Sequence, residues 1–425
     1  MPTAAASANS SWRSWAPRDS VPKAVPRIGV PIAAAPEYAD AVRETGGEPV
    51  ALPLLEAYPE GGVALAREWV ADVAQVLAAN LDALLLDAKL PEGLAGLLLA
   101  ALRLDLPAVH PASETPLSVA LAALGLAPLA RDPATVVVGL AREGRPRPRS
   151  LVESFSLANA LRAGLSAGGG PELLVHLSAV ARETGVAGFP QMVRVLAPET
   201  PGVAGPGWIR EHGVSALLSR LGDTLHDVPT VEGRLKMSLP SPPTPEGTAG
   251  SRLVFVRGRA SGTEVVCRAP RDAPDAGGEC RVFASEEAAV RAVLAGGLDA
   301  SSFLVVAGCG PRGGPGISRL DRLGEAMREA SCEGVPVLTD GLAPDGPPGL
   351  RFSLATPEAA VGGIVGRLRD GDALRIDLEG GRIRTGIGAE ELGRREPFGY
   401  ELSTAGYAAR YARSALPALE GGGFG

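Results

Sequence analysis

The sequence is poor in the residue types that build metal centres and aromatic binding sites. It has four cysteines among 425 residues, and aromatic side chains make up 4% of the chain. No cysteine precedes Cys267 and none forms a Cys-x-x-Cys pair, which argues against a closed zinc site. Lysine occurs at three positions only, whereas alanine, glycine, proline and arginine are abundant. This bias suggests a GC-rich genome, and we expect an actinobacterial source.

Charge and hydropathy exclude two further classes of protein. The net charge of -7 leaves no basic surface of the kind that nucleic-acid-binding proteins carry. The longest apolar stretch, residues 81–109, is interrupted by charged residues and is predicted not to span a bilayer. Residues 1–26 are rich in Ala, Ser and Pro and lack the apolar core of a signal peptide. We therefore predict a cytoplasmic protein with a disordered tail over residues 1–26 and with no membrane or nucleic-acid partner.

The first half of the chain alternates short apolar runs with segments of helical periodicity. That alternation predicts an α/β domain with a parallel sheet over residues 27–237. Strands are predicted at Arg27–Ile32, Glu48–Leu55, Leu81–Leu86 and Pro107–Val109, and helices at residues 36–46, Ala64–Ala79 and Leu94–Leu104. Residues 113–230 are predicted to be mostly helical, with Pro171 opening one of the helices.

A proline-rich linker, residues 238–250, separates this domain from a region of different character. Residues 251–395 contain short β-rich segments between Gly/Pro turns, which favours a β-barrel-like domain with flanking helices. The predicted strands are Leu253–Arg257, Thr263–Cys267, Phe303–Ala307, Val335–Thr339 and Leu374–Leu378, and the predicted helices are Ser285–Ala295 and Arg319–Glu329. Residues 396–425 are predicted to form a C-terminal extension.

Several separated motifs, in a fixed order, resemble those of the dihydroxy-acid dehydratase and 6-phosphogluconate dehydratase family. Residues 97–107 read LLLAALRLDLP and are similar to that family's MLMAALRLNIP. Further similar segments are Gly46–Val50, Gly168–Gly169 with His176–Leu177, the run from Gly310 to Asp377, and Gly406–Ala412. The resemblance covers most of residues 27–413.

The resemblance implies a homodimer whose active site lies between an N-terminal α/β domain and a C-terminal β-barrel domain. In that family a [2Fe–2S] cluster and Mg²⁺ bind the substrate's hydroxyl and carboxylate, and a serine alkoxide removes a proton. The cation and the base are both needed, because water leaves an unactivated hydroxy acid only with help at both carbons.

The positions that correspond to this machinery hold residues of other kinds. The family's Asn-Cys-Asp-Lys motif corresponds to Lys89-Leu90-Pro91-Glu92, so that Glu92 alone keeps an oxygen donor. Cys309 replaces a Mg²⁺-binding glutamate, and Pro344 replaces the catalytic serine. We therefore expect neither the cluster nor Mg²⁺. A residual cation held by Glu92 and Glu60 is an alternative, against the simpler reading that both carboxylates are solvated.

Two residues are candidates for catalysis. Cys309, in a Gly/Pro-rich loop, is a candidate nucleophile, although a small buried thiol is the simpler reading. Asp345, next to the position of the lost serine, is a candidate base, although an aspartate in an exposed turn explains it as well.

Four residues are candidates for contact with a small-molecule ligand. His110 ends a predicted strand of the parallel sheet, where the sites of α/β proteins gather. Arg312, with Gly313 and Gly314, is a candidate for binding a carboxylate or phosphate, while a tight structural turn explains the same glycines. His176 follows an apolar run and is predicted to be a core histidine.

Two functions remain open at this point. The first is a repurposed, cluster-free enzyme of the dehydratase family that acts on a hydroxy-acid-like or other small metabolite in actinobacterial specialised metabolism. The second is a catalytically inactive homologue that serves as a structural or regulatory partner of an active dehydratase. A cleft with a few polar groups is sufficient for new chemistry, which favours the first.

Overall fold

A computed structural model describes residues 25–32, 36–53, 61–242, 250–258, 262–345, 349–397 and 405–425. Most of the predicted disordered tail, most of the predicted linker and Glu60 lie outside these ranges.

The N-terminal domain contains a four-stranded parallel sheet, which confirms the α/β prediction. Its strand order is β2-β1-β3-β4, and every neighbouring pair is parallel. The strands are β1 (Arg27–Pro31), β2 (Glu48–Leu52), β3 (Ala83–Leu85) and β4 (Ala108–Val109). Leu84 and Leu85 are fully buried, because helices cover the sheet as in other parallel sheets.

Helices make up most of the remainder of this domain. The first five are α1 (Pro36–Glu44), α2 (Val63–Leu77), α3 (Pro91–Leu104), α4 (Pro116–Ala123) and α5 (Pro133–Glu143). They are followed by α6 (Pro148–Leu151), α7 (Ser154–Ser166), α8 (Pro171–Glu183), α9 (Phe189–Glu199), α10 (Pro206–His212) and α11 (Val214–Leu221). A two-stranded ribbon, β5 (Pro229–Thr230) with β6 (Gly233–Arg234), interrupts the region predicted to be helical.

The C-terminal domain is a closed barrel of eight strands with two helices packed on it. The order around the barrel is β10-β11-β12-β8-β7-β14-β13-β9. The strands are β7 (Arg252–Gly258), β8 (Thr263–Ala269), β9 (Ala276–Phe283), β10 (Ser302–Val306), β11 (Val337–Thr339), β12 (Arg351–Thr356), β13 (Ala373–Asp377) and β14 (Arg382–Thr385). The helices of this half are α12 (Glu286–Leu294), α13 (Asp321–Glu329), α14 (Ala389–Arg394) and, in the C-terminal segment, α15 (Gly406–Ser414). The barrel prediction is confirmed; β9, β12 and β14 were not predicted.

Strand β10 shows how the barrel is filled inside and covered outside. All five of its residues are buried. Phe303 and Val305 belong to the apolar cluster inside the barrel, whereas Leu304 and Val306 pack with α12 and α13 outside it. Successive side chains of a strand point to opposite faces, so an uninterrupted apolar run fits a strand that is covered on both sides.

A barrel-domain loop caps a helix of the N-terminal domain. The carbonyl oxygens of Pro315, Gly316 and Ile317 accept the N–H groups of Gly62, Ala64 and Val63 at 2.7, 2.9 and 2.9 Å, respectively. Those N–H groups at the start of α2 have no partner within the helix. The glycine-rich loop therefore joins the two domains through backbone hydrogen bonds.

The C-terminal segment returns to the N-terminal domain. Arg67 of α2 is fully buried and donates to the carbonyl of Gly421 at 2.6 Å. The Phe424 ring packs edge-on against Tyr411 of α15, with centroids 5.6 Å apart. The last residues of the chain thus form part of the N-terminal core. Among the described residues, no helix has both the length and the apolar content needed to cross a bilayer.

We expect Gly316→Ala to destabilise the fold by about 2 kcal/mol or more. Gly316 has a φ of 98°, and an added Cβ would lie 2.6 Å from Cβ of Leu65. Urea unfolding measures the loss. Gly334→Ala is the matched control, because nothing lies within 4 Å of its added Cβ. Equal stability of the two variants would contradict the close packing of this loop against α2.

Candidate functional site

Two helices of the N-terminal domain begin with the same Pro-Glu pair. Helix α3 starts with Pro91-Glu92 and helix α8 with Pro171-Glu172. Proline suits the first helical position because its fixed φ is helical and no N–H is needed there. A carboxylate in the first turn interacts favourably with the positive end of the helix. The sequence thus builds two helix starts that each present a glutamate.

Arg319 of the barrel domain binds both glutamates. Its Nη1 and Nη2 donate to Oε1 and Oε2 of Glu92 at 3.0 and 2.6 Å. Its Nε and Nη2 donate to Oε2 and Oε1 of Glu172 at 2.9 and 2.6 Å. Four charge-assisted hydrogen bonds therefore join the start of α3, the start of α8 and the barrel.

Burial and the ion pairs fix the charges in this cluster. Burial alone would raise the pKa of Glu172, but hydrogen bonds from His176 and Arg319 lower it to about 2. Burial would lower the pKa of Arg319, yet Glu92 and Glu172 raise it. Burial lowers the pKa of His176, whose Nε2 donates to Oε1 of Glu172 at 3.3 Å. Near neutral pH Glu172 is therefore a carboxylate, Arg319 a guanidinium and His176 a neutral imidazole.

A cavity of about 230 Å³ between the two domains adjoins this cluster. The N-terminal domain contributes the starts of α4 and α8, and the barrel domain contributes the segments after β10 and β11. The polar side chains that line the cavity are Thr115, Glu172, His176, Arg319, Asp321, Asp345 and Ser353. Three of them are carboxylates and one is a guanidinium, so the described lining is acidic.

Asp345 is the carboxylate of this cavity whose proton is most easily retained. Its partial removal from water, together with the negative charges of Glu172 and Asp321, raises its pKa. Arg268 and Arg319 act in the opposite direction but do not outweigh this effect. The structure thus places Asp345, a residue predicted to be catalytic, in a cleft between the domains, where it can exchange a proton.

Cys309, the other predicted catalytic residue, does not line the cavity. Its side chain belongs to the apolar cluster between the barrel and helices α12 and α13 and is 5% exposed. Its backbone N–H donates to Oδ1 of Asp340 at 2.8 Å. Burial and the neighbouring Asp340 raise the pKa of the thiol well above its usual range. Because the thiolate is the nucleophile, this environment suits the simpler reading of a buried thiol.

His110 is likewise buried away from the cavity. Its Nδ1 lies 2.6 Å from the Leu86 carbonyl and its Nε2 lies 2.6 Å from Oγ of Ser118. A carbonyl only accepts, so Nδ1–H donates and Nε2 accepts from the serine hydroxyl. Burial lowers the pKa of His110 to about 4. The histidine therefore joins the end of β3 to α4 as a neutral, hydrogen-bonded core residue.

The loop of Arg312, Gly313 and Gly314 also lies outside the cavity. Nη1 of Arg312 is 3.8 Å from Oε2 of the buried Glu358. The Gly313 N–H donates to the Ala412 carbonyl at 3.0 Å, and an added Cβ on Gly314 would lie 2.4 Å from the Gly310 carbonyl oxygen. The Arg312 guanidinium and the Gly313 N–H thus face partners within the protein and not the cavity. A tight structural turn therefore explains these residues better than anion binding does.

Sequence reasoning missed Arg319 and gave Glu172 no role. Arg319 was placed at the start of a predicted helix, whereas helix α13 begins at Asp321 and leaves Arg319 in the preceding loop. A signal did exist, because Pro91-Glu92 and Pro171-Glu172 repeat one helix-start pattern in two places. Two such starts, each with a glutamate, favour a shared cation.

Comparisons with known proteins agree with this two-domain arrangement. Residues 251–422 match the family model for the dihydroxy-acid/6-phosphogluconate dehydratase C-terminal domain. This match and the similar proteins described next support the resemblance of the chain to a divergent dihydroxy-acid/6-phosphogluconate dehydratase. The matched region continues beyond residue 395, so it includes α15 in the segment predicted as a C-terminal extension.

Similar proteins include several dihydroxy-acid dehydratases. Dihydroxy-acid dehydratase 2 of Bordetella bronchiseptica is 34% identical over 277 residues, which cover 59% of this chain and 49% of that protein. The dihydroxy-acid dehydratase of Methanoregula boonei is 30% identical over 275 residues, 59% of this chain and 50% of that protein. That of Geobacter metallireducens is 29% identical over 316 residues, 67% of this chain and 56% of that protein. The chain spans about half the length of the curated relatives it matches.

The residues at the positions implied for the family's cluster and Mg²⁺ fit these groups poorly. Leu90 and Pro91 have no side-chain donor atom. Both carboxylate oxygens of Glu92 already accept hydrogen bonds from Arg319. Cys309 is a buried thiol of raised pKa outside the cleft, whereas a metal ligand must be deprotonated.

We expect thiol reagents to modify Cys332 before Cys309 in the native protein. Cys332 is half-buried, whereas Cys309 is buried and its thiol pKa is raised further. Iodoacetamide labelling followed by peptide mass mapping gives the order of reaction, and unfolding in urea is the positive control. Native labelling of Cys309 ahead of Cys332 would instead support its role as a nucleophile.

We expect His110 to make the fold less stable in acid. The unfolded histidine titrates near 6.5 and the native one near 4, so the unfolded chain takes up the proton first as the pH falls. The free energy of unfolding is thus retained above pH 6.5 and falls by about 1–3 kcal/mol towards pH 4. Urea unfolding from pH 7 to pH 4.5 measures the slope.

His110→Gln should flatten this pH dependence, and His212→Gln, at an exposed position, should leave it unchanged. An unaltered slope in His110→Gln would contradict the assignment.

Proposed function

We propose that this chain is a cluster-free enzyme of the dehydratase family that binds a small metabolite in the cleft between its two domains. The single observation that supports this proposal is the convergence of Asp345, Glu172, His176 and Arg319 on one cavity. Within the proposal, the protein acts in the cytoplasm as a homodimer, in actinobacterial specialised metabolism, as the composition and the family resemblance suggest.

The charges of the cleft favour a neutral or amine-bearing ligand over a hydroxy acid. Arg319 is the only cationic side chain among the described residues that line the cavity. Four of its five N–H groups are taken by Glu92 and Glu172. A ligand carboxylate would therefore meet Asp321 and Asp345, while the one cation of the described lining is already balanced by two carboxylates. Of the two substrate classes predicted, a small metabolite other than a hydroxy acid is the better fit.

Asp345 is the proposed acid or base of the reaction. Its pKa is raised by burial and by the negative charges of Glu172 and Asp321, which brings the carboxyl group closer to the pH range in which proton transfer is most effective. Glu172 is unsuited to this role, because the hydrogen bonds from Arg319 and His176 hold it ionised. We accordingly assign proton exchange with the bound ligand to Asp345 and the positioning of the cleft wall to the Glu92–Arg319–Glu172 cluster.

Ligand-observed NMR with three sets of small molecules tests the ligand class. The sets are neutral polyols, hydroxylated amines and hydroxy acids of matched size. We expect binding from the first two sets and little from the third. Preferential binding of hydroxy acids would overturn the charge argument, while the absence of binding together with association with a dihydroxy-acid dehydratase would favour the non-catalytic alternative.

We expect Asp345→Asn to lower kcat on the identified ligand by about 100-fold or more, with little effect on its Kd. The amide keeps the size of the side chain but cannot exchange the proton. Asp272→Asn, an exposed position of the barrel domain, is the matched control and should retain full activity. Equal turnover by Asp345→Asn and the wild type would remove Asp345 from the mechanism.

A further inference from the structure

We infer that the guanidinium of Arg319 occupies the place of a bound metal ion between Glu92 and Glu172. The structure puts the cation of Arg319 between Glu92, which alone keeps an oxygen donor in the segment Lys89–Glu92, and Glu172. The cleft is thus built around a fixed, protein-borne charge.

The distances around Nη2 match those of a coordinated cation. This one nitrogen lies 2.6 Å from Oε2 of Glu92 and 2.6 Å from Oε1 of Glu172. Calcium binds carboxylate oxygens at about 2.3–2.6 Å and magnesium at about 2.0–2.1 Å, so the distances around Nη2 correspond to the larger ion. A metal ion centred near Nη2 would therefore contact the same two oxygens. The guanidinium and a metal ion cannot both occupy this position.

Because Glu92 and Glu172 are largely removed from water, a cation is needed between their carboxylates. The side chain of Glu92 is 5% exposed and that of Glu172 is 24% exposed. Two carboxylates held this close repel each other, and removal from water disfavours their charged forms. His176 gives Glu172 one hydrogen bond. Arg319 is the cation that contacts both glutamates.

Arg319 belongs to the barrel domain, so its ion pairs join the two domains at the cleft. The two glutamates belong to helices α3 and α8 of the N-terminal domain, whereas Arg319 follows β10 of the barrel. Arg319 is continuous with Leu320, whose N–H donates to the Leu342 carbonyl at 3.0 Å. The cleft wall is consequently held in place by the charge of a side chain, and no metal ion is required to join the two domains there.

Replacing Arg319 by an uncharged side chain tests the inference. In Arg319→Met the two glutamates lose their cation, and we expect the variant to bind one Mn²⁺ per chain by isothermal titration calorimetry. The wild-type protein should give no Mn²⁺ binding at this site, and its melting temperature should not change with Mn²⁺ or EDTA. Arg319→Gln, which keeps a hydrogen-bond donor, is measured in the same way in case Arg319→Met does not fold.

Three further variants separate the roles of charge and structure. Arg319→Lys restores a cation and should again bind no Mn²⁺. The double variant Arg319→Met/Glu92→Gln removes one proposed ligand and should lose the binding gained by Arg319→Met. Arg210→Met breaks an exposed ion pair of similar length, 2.7 Å to Glu114, and should behave as the wild type.

Mn²⁺ binding by the wild type at the cleft would overturn the inference. The same holds if neither Arg319→Met nor Arg319→Gln binds more Mn²⁺ than the wild type, or if the double variant binds as well as Arg319→Met. These readouts do not involve a ligand or turnover, so they stand or fall independently of the proposed enzymatic function.

Discussion

The contact of one guanidinium with a buried and a half-buried glutamate determines the arrangement of the cleft. Arg319 bonds Glu92 at the start of α3 and Glu172 at the start of α8, and thereby fixes two helix ends against the barrel. Removing one partner of a buried ion pair typically costs about 3–5 kcal/mol, because the remaining charge has no counterpart. Two neighbouring interdomain contacts, the capping of α2 by residues 315–317 and the hydrogen bond of Arg268 to the Gly169 carbonyl, support the same geometry.

The chemistry available to the cleft follows from this ion pair. Because Arg319 gives four of its five N–H groups to two carboxylates, it offers little to an anionic ligand and mainly sets the local charge. Asp345 lies close enough to Glu172 for that negative charge to raise its pKa. A structural ion pair and a titratable group thus lie side by side. Arg319 keeps its charge, and Asp345 is able to lose or accept a proton.

Much of the fold could be predicted from the sequence, because hydrophobic periodicity reports burial directly. The runs at Arg27–Ile32 and Leu81–Leu86 predicted strands of the parallel sheet, and β1 and β3 lie within them. Two of the three missed barrel strands, β9 and β14, are weak in such a signal, whereas β12 (RFSLAT) has apolar residues at alternate positions and was overlooked. Strand β9 (AGGECRVF) contains two glycines, and β14 (RIRT) has four residues with arginine at alternate positions. The pairing of β9 with β13 and of β14 with β7 joins segments that are distant in sequence, although β14 also forms a local hairpin with β13.

The site was harder to predict because its groups come from separate segments. Asp345 was found since the family resemblance identified its neighbourhood. Arg319 was missed, because a single arginine carries no periodic pattern and its partners are 227 and 147 residues away. Ligand binding by the Arg312–Gly314 loop remained open from the sequence, because a sequence does not show which groups the N–H donors of a loop contact. In the structure the Gly313 N–H bonds the Ala412 carbonyl of α15.

Metal and sulfide analysis of anaerobically purified protein, with its visible absorption spectrum, tests whether Arg319 and not a metal centre holds the cleft together. A cleft held by Arg319 predicts colourless protein without stoichiometric iron, sulfide or divalent metal. Stoichiometric iron and sulfide with the absorption bands of a cluster would contradict this account, because Glu92 and Arg319 would then have to separate to admit the ancestral cofactors.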